Sequence, residues 1–362
     1  MSMLKLIRFE CKKQIKSVLF LIVLVILTVF AITQLNEIFY MPVSRDRDIQ
    51  ALEKSGERDF IFVKNTDMEL KEQTIQYLKQ AISEGAILAE NTKEFTDVLE
   101  MLLDDRYTFD DIFTAMKDNE RVFSWLIASK TQFGVRLGSV DEVNRNFHEG
   151  LGDNGYSPYL FIKYVTYMQA VAAFLIFPLF LLMLTRDYRY DMYEVLYVQP
   201  LSPTMYILSR FFGVFLPFVV YLYLFGLVLN LISVFRFVKA GYAVSYFPFI
   251  TYFIIYLLPA IFFLSCCIML LMLLINKAVA VFPIYIVYIA FNMTPGVFGY
   301  DNRWIKIINL INPMIRLDIQ MPQIGAVLIN RIVYLILGFI FLFLSCKMYE
   351  KLRKNLRKVI TI

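Results

Sequence analysis

Few residues in this chain are of a type and spacing that could do chemistry. The single histidine, His148, falls in a Gly- and Asn-rich stretch read as a loop, with no cysteine or second histidine near it to build a zinc site. The paired acids Asp104-Asp105 and Asp110-Asp111 could be imagined as catalytic or calcium ligands. No loop carries the alternating oxygen-ligand spacing of a calcium hand, and solvated helix faces or helix caps account for both pairs. The sequence contains no GxSxG, no HExxH and no glycine-rich loop ending in Gly-Lys-Ser/Thr, so it cannot by itself cradle the phosphates of ATP. The chain is therefore expected not to be an enzyme. It has no catalytic, cofactor-binding or metal-binding residue to assign, and any nucleotide must be handled by another polypeptide.

The elements around these residues are of two kinds. Of 31 acidic residues, 24 lie between Leu35 and Pro158 against 14 Lys/Arg, a net charge of −10, while the remaining residues carry 22 basic and 7 acidic groups, a net of +15. The acidic segment is the only long stretch without an apolar run. The rest is basic and apolar enough to occupy a bilayer.

Crossing about 30 Å of hydrocarbon takes roughly 20 mainly apolar residues, because every backbone N–H and C=O must be satisfied internally. Six segments are predicted to span: Val18–Gln34, Tyr159–Leu184, Met205–Ser233, Phe247–Ile275, Ala278–Met293 and Ile324–Cys346. The first and fifth are short. The first is read as an anchored helix rather than a cleaved signal peptide, because its basic flank is long and no small-x-small site follows it.

Lys5, Arg8, Lys12, Lys13 and Lys16 precede the first span against Glu10 alone, and Lys347, Lys351, Arg353, Lys354, Arg357 and Lys358 follow the last against Glu350 alone. Excess Lys/Arg keeps a flank inside, so both termini are expected to be cytoplasmic and residues 35–158 outside. Leu4, Ile7, Cys11, Ile15 and Val18 recur at helical steps opposite the basic residues. Residues 1–17 therefore read as an amphipathic helix on the inner surface of the membrane, in contact with its lipids. Residues 347–362 read as a basic cytoplasmic tail.

Residues 35–158 are expected to form a mainly helical extracytoplasmic domain. Leu70, Thr74, Tyr77, Leu78 and Ala81 make one helical face, Phe95, Val98, Leu99, Leu102 and Leu103 a second, and Ile112, Phe113, Met116, Val122, Trp125 and Leu126 a third. Thr66 with Glu69, and Thr108 with Asp111, have capping-box spacing. Residues 134–155 read as a loop back to the membrane. The four cysteines, Cys11, Cys266, Cys267 and Cys346, all lie near or inside the apolar runs, so no disulfide staples the acidic domain.

Lys163, Arg210 and Arg331 are placed toward span ends, where long side chains reach the interface, and no Asp or Glu falls within a hydrocarbon stretch. An ion-coupled transporter ordinarily needs a midplane acid to bind and release its ion, which argues against secondary transport. Pro178, Pro217, Pro259 and Pro283 put one proline in each of the four middle spans, either as flexing points or as the ordinary enrichment of proline in membrane helices.

The connection from Thr185 to Gly213, TRDYRYDMYEVLYVQPLSPTMYILSRFFG, is short and polar at its start. It carries Glu194 and reaches a new span through Pro200-Leu-Ser-Pro203 and Arg210. It resembles the loop between the second and third spans of type-2 ATP-binding-cassette (ABC) transporter permeases. The basic helix MLKLIRFECKKQIKS is similar to that family's interfacial elbow helix. The segment NLINPMIRL, Asn309 to Leu317, resembles its extracellular re-entrant hairpin, here with Asn312 and Pro313.

The resemblance implies an all-α polytopic membrane protein of six transmembrane helices in a bacterial cell membrane. Within residues 159–346 it implies that the cytoplasmic loop 185–204 docks on an ATPase, and the coupling role passes to Glu194, Leu196, Pro200, Leu201, Ser202 and Arg210. It further implies two ABC ATPase subunits that bind ATP and Mg, a second permease chain, identical or related, and no nucleic acid. The expected function is export of an amphipathic or hydrophobic cargo such as a peptide, lipid or antibiotic, as in resistance systems. The large insert after the first span departs from short-loop members of the family. It also sustains a rival reading, a membrane sensor whose outer domain binds an antimicrobial peptide and signals through a partner.

Overall fold

The structure, a computed structural model, describes residues 2–56, 60–87, 92–151, 156–189, 202–242, 244–245, 247–275, 278–293, 307–308 and 324–360. Almost all of them are helical, and they divide into two compact units, Met1–Pro42 with Leu151–Ile362, and Val43–Gly150. Residues 35–42 thus belong with the apolar unit, in which Leu35, Ile38 and Met41 are buried.

The apolar unit opens with α1 (Met3–Ile15) and α2 (Val18–Gln34), bent by 67° at the two residues between them. It continues with α9 (Tyr156–Arg189), α10 (Pro203–Lys239), α11 (Pro248–Tyr252), a π-helical turn at Phe253–Leu257, α12 (Leu258–Ile275), α13 (Ala278–Met293) and α14 (Ile324–Ile360). Among the described residues four stretches are long and apolar enough to cross a membrane: Ser157–Thr185, Pro203–Lys239, Pro248–Ile275 and Val327–Lys354. A fifth is added if the bent pair α1–α2 counts as one, and α13 is shorter.

These helices are apolar on every side, so burial is set by position in the bundle rather than by an amphipathic stripe. Two-thirds of the apolar window of α11–α12 is buried and 28% of that of α14, which makes the former central and the latter peripheral. Where helices meet closely the side chain is missing. A Cβ on Gly226 of α10 would lie 2.8 Å from the Phe249 ring and 2.9 Å from that of Tyr164, and one on Gly338 of α14 would lie 2.8 Å from the ring of Phe262.

Tyrosine hydroxyls tie neighbouring helices together. Tyr164 donates to the Leu222 carbonyl at 2.6 Å and Tyr285 to that of Ala173 at 2.7 Å. Pro178, Pro217 and Pro283 lie inside α9, α10 and α13. Pro259 stands two residues after the end of the π-turn, in the first turn of α12, where the ladder is already irregular and a missing N–H disturbs it least. Phe177 and Phe211 are buried, and the Phe211 ring packs with Phe180, Phe215 and Phe262.

The acidic unit holds α3 (Asp46–Lys54), β1 (Phe62–Lys64), α4 (Asp67–Ser83), α5 (Thr92–Leu103), α6 (Phe109–Ala115), α7 (Glu120–Phe133), β2 (Val135–Leu137) and α8 (Val140–Leu151). The three expected helical faces meet in one core that includes Leu70, Leu78, Phe95, Val98, Leu102, Ile112, Val122 and Leu126. Leu103 does not join it and is 60% exposed, because it closes the helix one position beyond the buried stripe. Both capping boxes form, at Thr66–Glu69 and Thr108–Asp111. Buried Lys71 donates to the carbonyls of Asp104 and Tyr107, pinning α4 to the turn between α5 and α6.

Two expectations change here. Residues 134–151 are not a loop, because β2 pairs antiparallel with β1 and α8 follows, so His148 lies on a helix. The helix is held by buried Val143 and Phe147 and by Asn144, which bonds both the N–H and the C=O of Val43 at 3.0 and 2.8 Å.

Candidate functional site

Of the residues marked for coupling, Ser202 and Arg210 are described, whereas Glu194, Leu196, Pro200 and Leu201 lie outside the described residues, as do Asn312 and Pro313. Ser202 has the extended backbone of an N-cap, and its Oγ accepts from the Met205 N–H at 3.2 Å. Pro203, which has no N–H to leave unsatisfied, opens the helix. The Ser-Pro pair is thus the starting device of α10.

Arg210 follows two turns later, 7% exposed, with its guanidinium 5.3 Å from the Tyr206 ring centroid. Its Nη1 donates to Glu10 Oε2 of α1 at 3.2 Å. One turn further, Gly213 admits α1, since a Cβ there would run into the Glu10 side chain and come within 3.4 Å of its backbone. Cys11 reaches the Phe212 carbonyl, Sγ to O 3.7 Å. Glu10, Lys13, Gln14, Thr185 and Arg210, together with the apolar Leu182, Met183 and Val214, border a recess of about 190 Å³ between α1, α9 and α10.

About three turns beyond Arg210, α10 is joined to α2. The Tyr221 hydroxyl of α10 donates to the Leu24 carbonyl of α2 at 3.1 Å and also bonds the Thr28 hydroxyl. α1, α2 and α10 are therefore fastened at their base by an ion pair and at mid-height by hydrogen bonds. No group of three or more His, Cys, Asp or Glu that could hold a metal ion occurs among the described residues.

The sequence placed Lys163, Arg210 and Arg331 at interfaces with free reach, but all three are at least nine-tenths buried. Lys163 pairs with Glu37 at 2.8 Å, both buried, joining the turn after α2 to α9. Arg331 bonds the Ile307 carbonyl, Asn330 Oδ1 at 3.2 Å and Gln169 Oε1 at 3.3 Å. Burial without a partner is costly for a cation, and here the partners come from within the protein rather than from the interface.

Glu10 escaped sequence reasoning as a mere exception within a basic flank. The signal was its place three residues after Ile7, on the apolar side of an otherwise basic helix. α1 turns Leu6, Ile7, Glu10 and Cys11 inward and leaves Leu4 and Ile15, expected on the apolar stripe, exposed.

Comparison of this chain with protein-family models, with curated proteins and with solved structures found no match.

Proposed function

We propose that the chain is the membrane subunit of a bacterial ABC exporter of the type-2 permease kind. The supporting observation is the fastening of α1 and α2 to α10 immediately behind loop 185–204, through Glu10–Arg210 and Tyr221. In this reading six helices span the plasma membrane, α2 and α13 with help from their flanks, both termini face the cytoplasm, and residues 35–158 lie outside. Two copies, or this chain and a related one, enclose the path of an amphipathic or hydrophobic cargo. Two separate ATPase subunits, holding ATP and Mg, dock beneath.

A load applied by an ATPase at Glu194, Leu196, Pro200 and Leu201 enters α10 at the Ser202 cap. Arg210 passes it to α1, and the bend at residues 16–17 leads it into α2, so two spans move as one block. ATP favours the arrangement it binds more tightly, and hydrolysis restores the other.

The test is purification from a native host under mild detergent. A P-loop ATPase should co-purify, and Glu194→Ala should lower ATP turnover of the assembled complex about tenfold or more, the loss of a charge-assisted docking contact, while membrane insertion is unchanged. A complex without an ATP-hydrolysing companion would end this reading.

A further inference from the structure

Among its described residues the acidic unit carries a groove poor in charge. Between α4 and α7 lies a cavity of about 550 Å³ with three half-buried aromatic residues, Tyr77, Trp125 and Phe133, along its base. Their rings support one another, Trp125 and Phe133 standing 5.2 and 5.6 Å from Tyr77. Gln73, Gln76 and Gln80 of α4 rise on one side and Gln132 of α7 on the other.

Charged residues make up 36 of the 108 residues of Val43–Gly150, yet only Glu84 among those lining the groove is charged, and Gln80 Nε2 donates to it at 2.7 Å. Aromatic enrichment with charge depletion is the composition of a binding surface rather than of a solvated helix face. Among the described residues the lining has no Lys or Arg, so no cation there would neutralise a phosphate or carboxylate. Each glutamine amide offers one acceptor and two donor hydrogens, the complement of a peptide group. Gln73 and Gln80 are two turns apart, about 10.5 Å along α4, which matches about three residues of extended chain. The unit has 22 acidic against 14 basic residues, a net charge of −8, which draws cations toward it.

From these observations we infer that the groove between α4 and α7 is a binding site for an extended segment of a cationic peptide, its backbone held by the glutamines and its apolar side chains by the aromatic base. The inference does not depend on the exporter reading, since binding needs no ATPase.

Trp125 and Trp304 are the two tryptophans of the chain, so Trp304→Phe leaves Trp125 as the sole indole reporter in the full-length protein. That protein, in nanodiscs of zwitterionic phosphatidylcholine, is titrated with a short peptide of alternating lysine and leucine, with its glutamate-for-lysine counterpart, and with a β-1,4-linked N-acetylglucosamine hexasaccharide. The lysine peptide should give a saturable shift of Trp125 emission, weakened about tenfold, roughly 1.4 kcal/mol, by Gln76→Ala with Gln132→Ala. Both glutamines are solvent-exposed, so the variant keeps its fold, which circular dichroism verifies. No response to the lysine peptide, an equal response to the glutamate peptide, a response to the saccharide alone, or unchanged affinity in the double variant would each overturn the inference.

Discussion

The side chains that stabilise the acidic unit against pH are those already satisfied twice over. Glu142 accepts from Arg136 at 2.9 and 2.7 Å and from the Ser139 N–H at 2.9 Å, and these bonds hold its carboxyl at about 2, against an ordinary 4.5. The unfolded chain takes up that proton near 4.5 and the folded chain only near 2. The stabilisation is therefore complete above 4.5 and is lost as pH falls toward 2. Asp104, beside Arg106, is also held at about 2, so global acid unfolding would mix several groups and a local readout is needed. Hydrogen exchange of the Ser139 amide in the intact protein, corrected for the intrinsic rate, should lose protection across that interval. Glu142→Gln should show less protection at neutral pH and little further loss on acidification. Flat protection in the unmodified protein would count against the assignment. That Arg136 would find Glu142 is partly legible from their six-residue spacing. Its second contact, Glu69 at 3.4 Å, joins residues 67 apart and is visible only once β2 has returned beside α4.

Between elements, the consequential contact is the one that a single missing side chain permits. With Gly213→Val, the new methyls meet the backbone of Glu10, and either α1 lifts from α10 or the Arg210 ion pair stretches. Overpacking of this kind costs about 1–3 kcal/mol. Cys11 reports the outcome, since its half-covered thiol lies against the Phe212 carbonyl. In a background with Cys266, Cys267 and Cys346 replaced by Ser, Gly213→Val should raise the rate of Cys11 alkylation several-fold while Gly325→Val, which meets nothing, leaves it unchanged. Equal rates in all three proteins would show that α1 does not depend on this contact. Helices were largely readable from the sequence because apolar runs and capping boxes are local signals. The strands were not, since β1 and β2 are three residues each and pair across more than 70 positions. α8 was hidden by Asn144, Asn146 and Gly150 and by the glycines that flank it, although Val143 and Phe147, four apart, marked its buried face.

For the whole molecule the partition by charge was legible and its edge was not. Charge marks where the acidic residues stop, near Leu35, but Leu35, Ile38 and Met41 are buried in the apolar unit and Glu37 is committed to Lys163, so the division falls at Val43. With that edge the acidic unit carries −8 and the other unit, with 22 basic and 9 acidic residues, +13. The basic excess of the apolar unit is concentrated in the segments before α2 and at the end of α14; under the proposed exporter reading the positive-inside tendency places both in the cytoplasm and the acidic unit, whose length lets it translocate with little regard to its charge, outside. A cysteine-free protein with Ser124→Cys, on an exposed face of α7, should therefore react with a membrane-impermeant maleimide on intact cells. Lys351→Cys, exposed on α14, should react only after permeabilisation. The reverse pattern would place the acidic unit in the cytosol. It would then face the same side as loop 185–204, and neither an outward peptide groove nor a six-helix export path would survive.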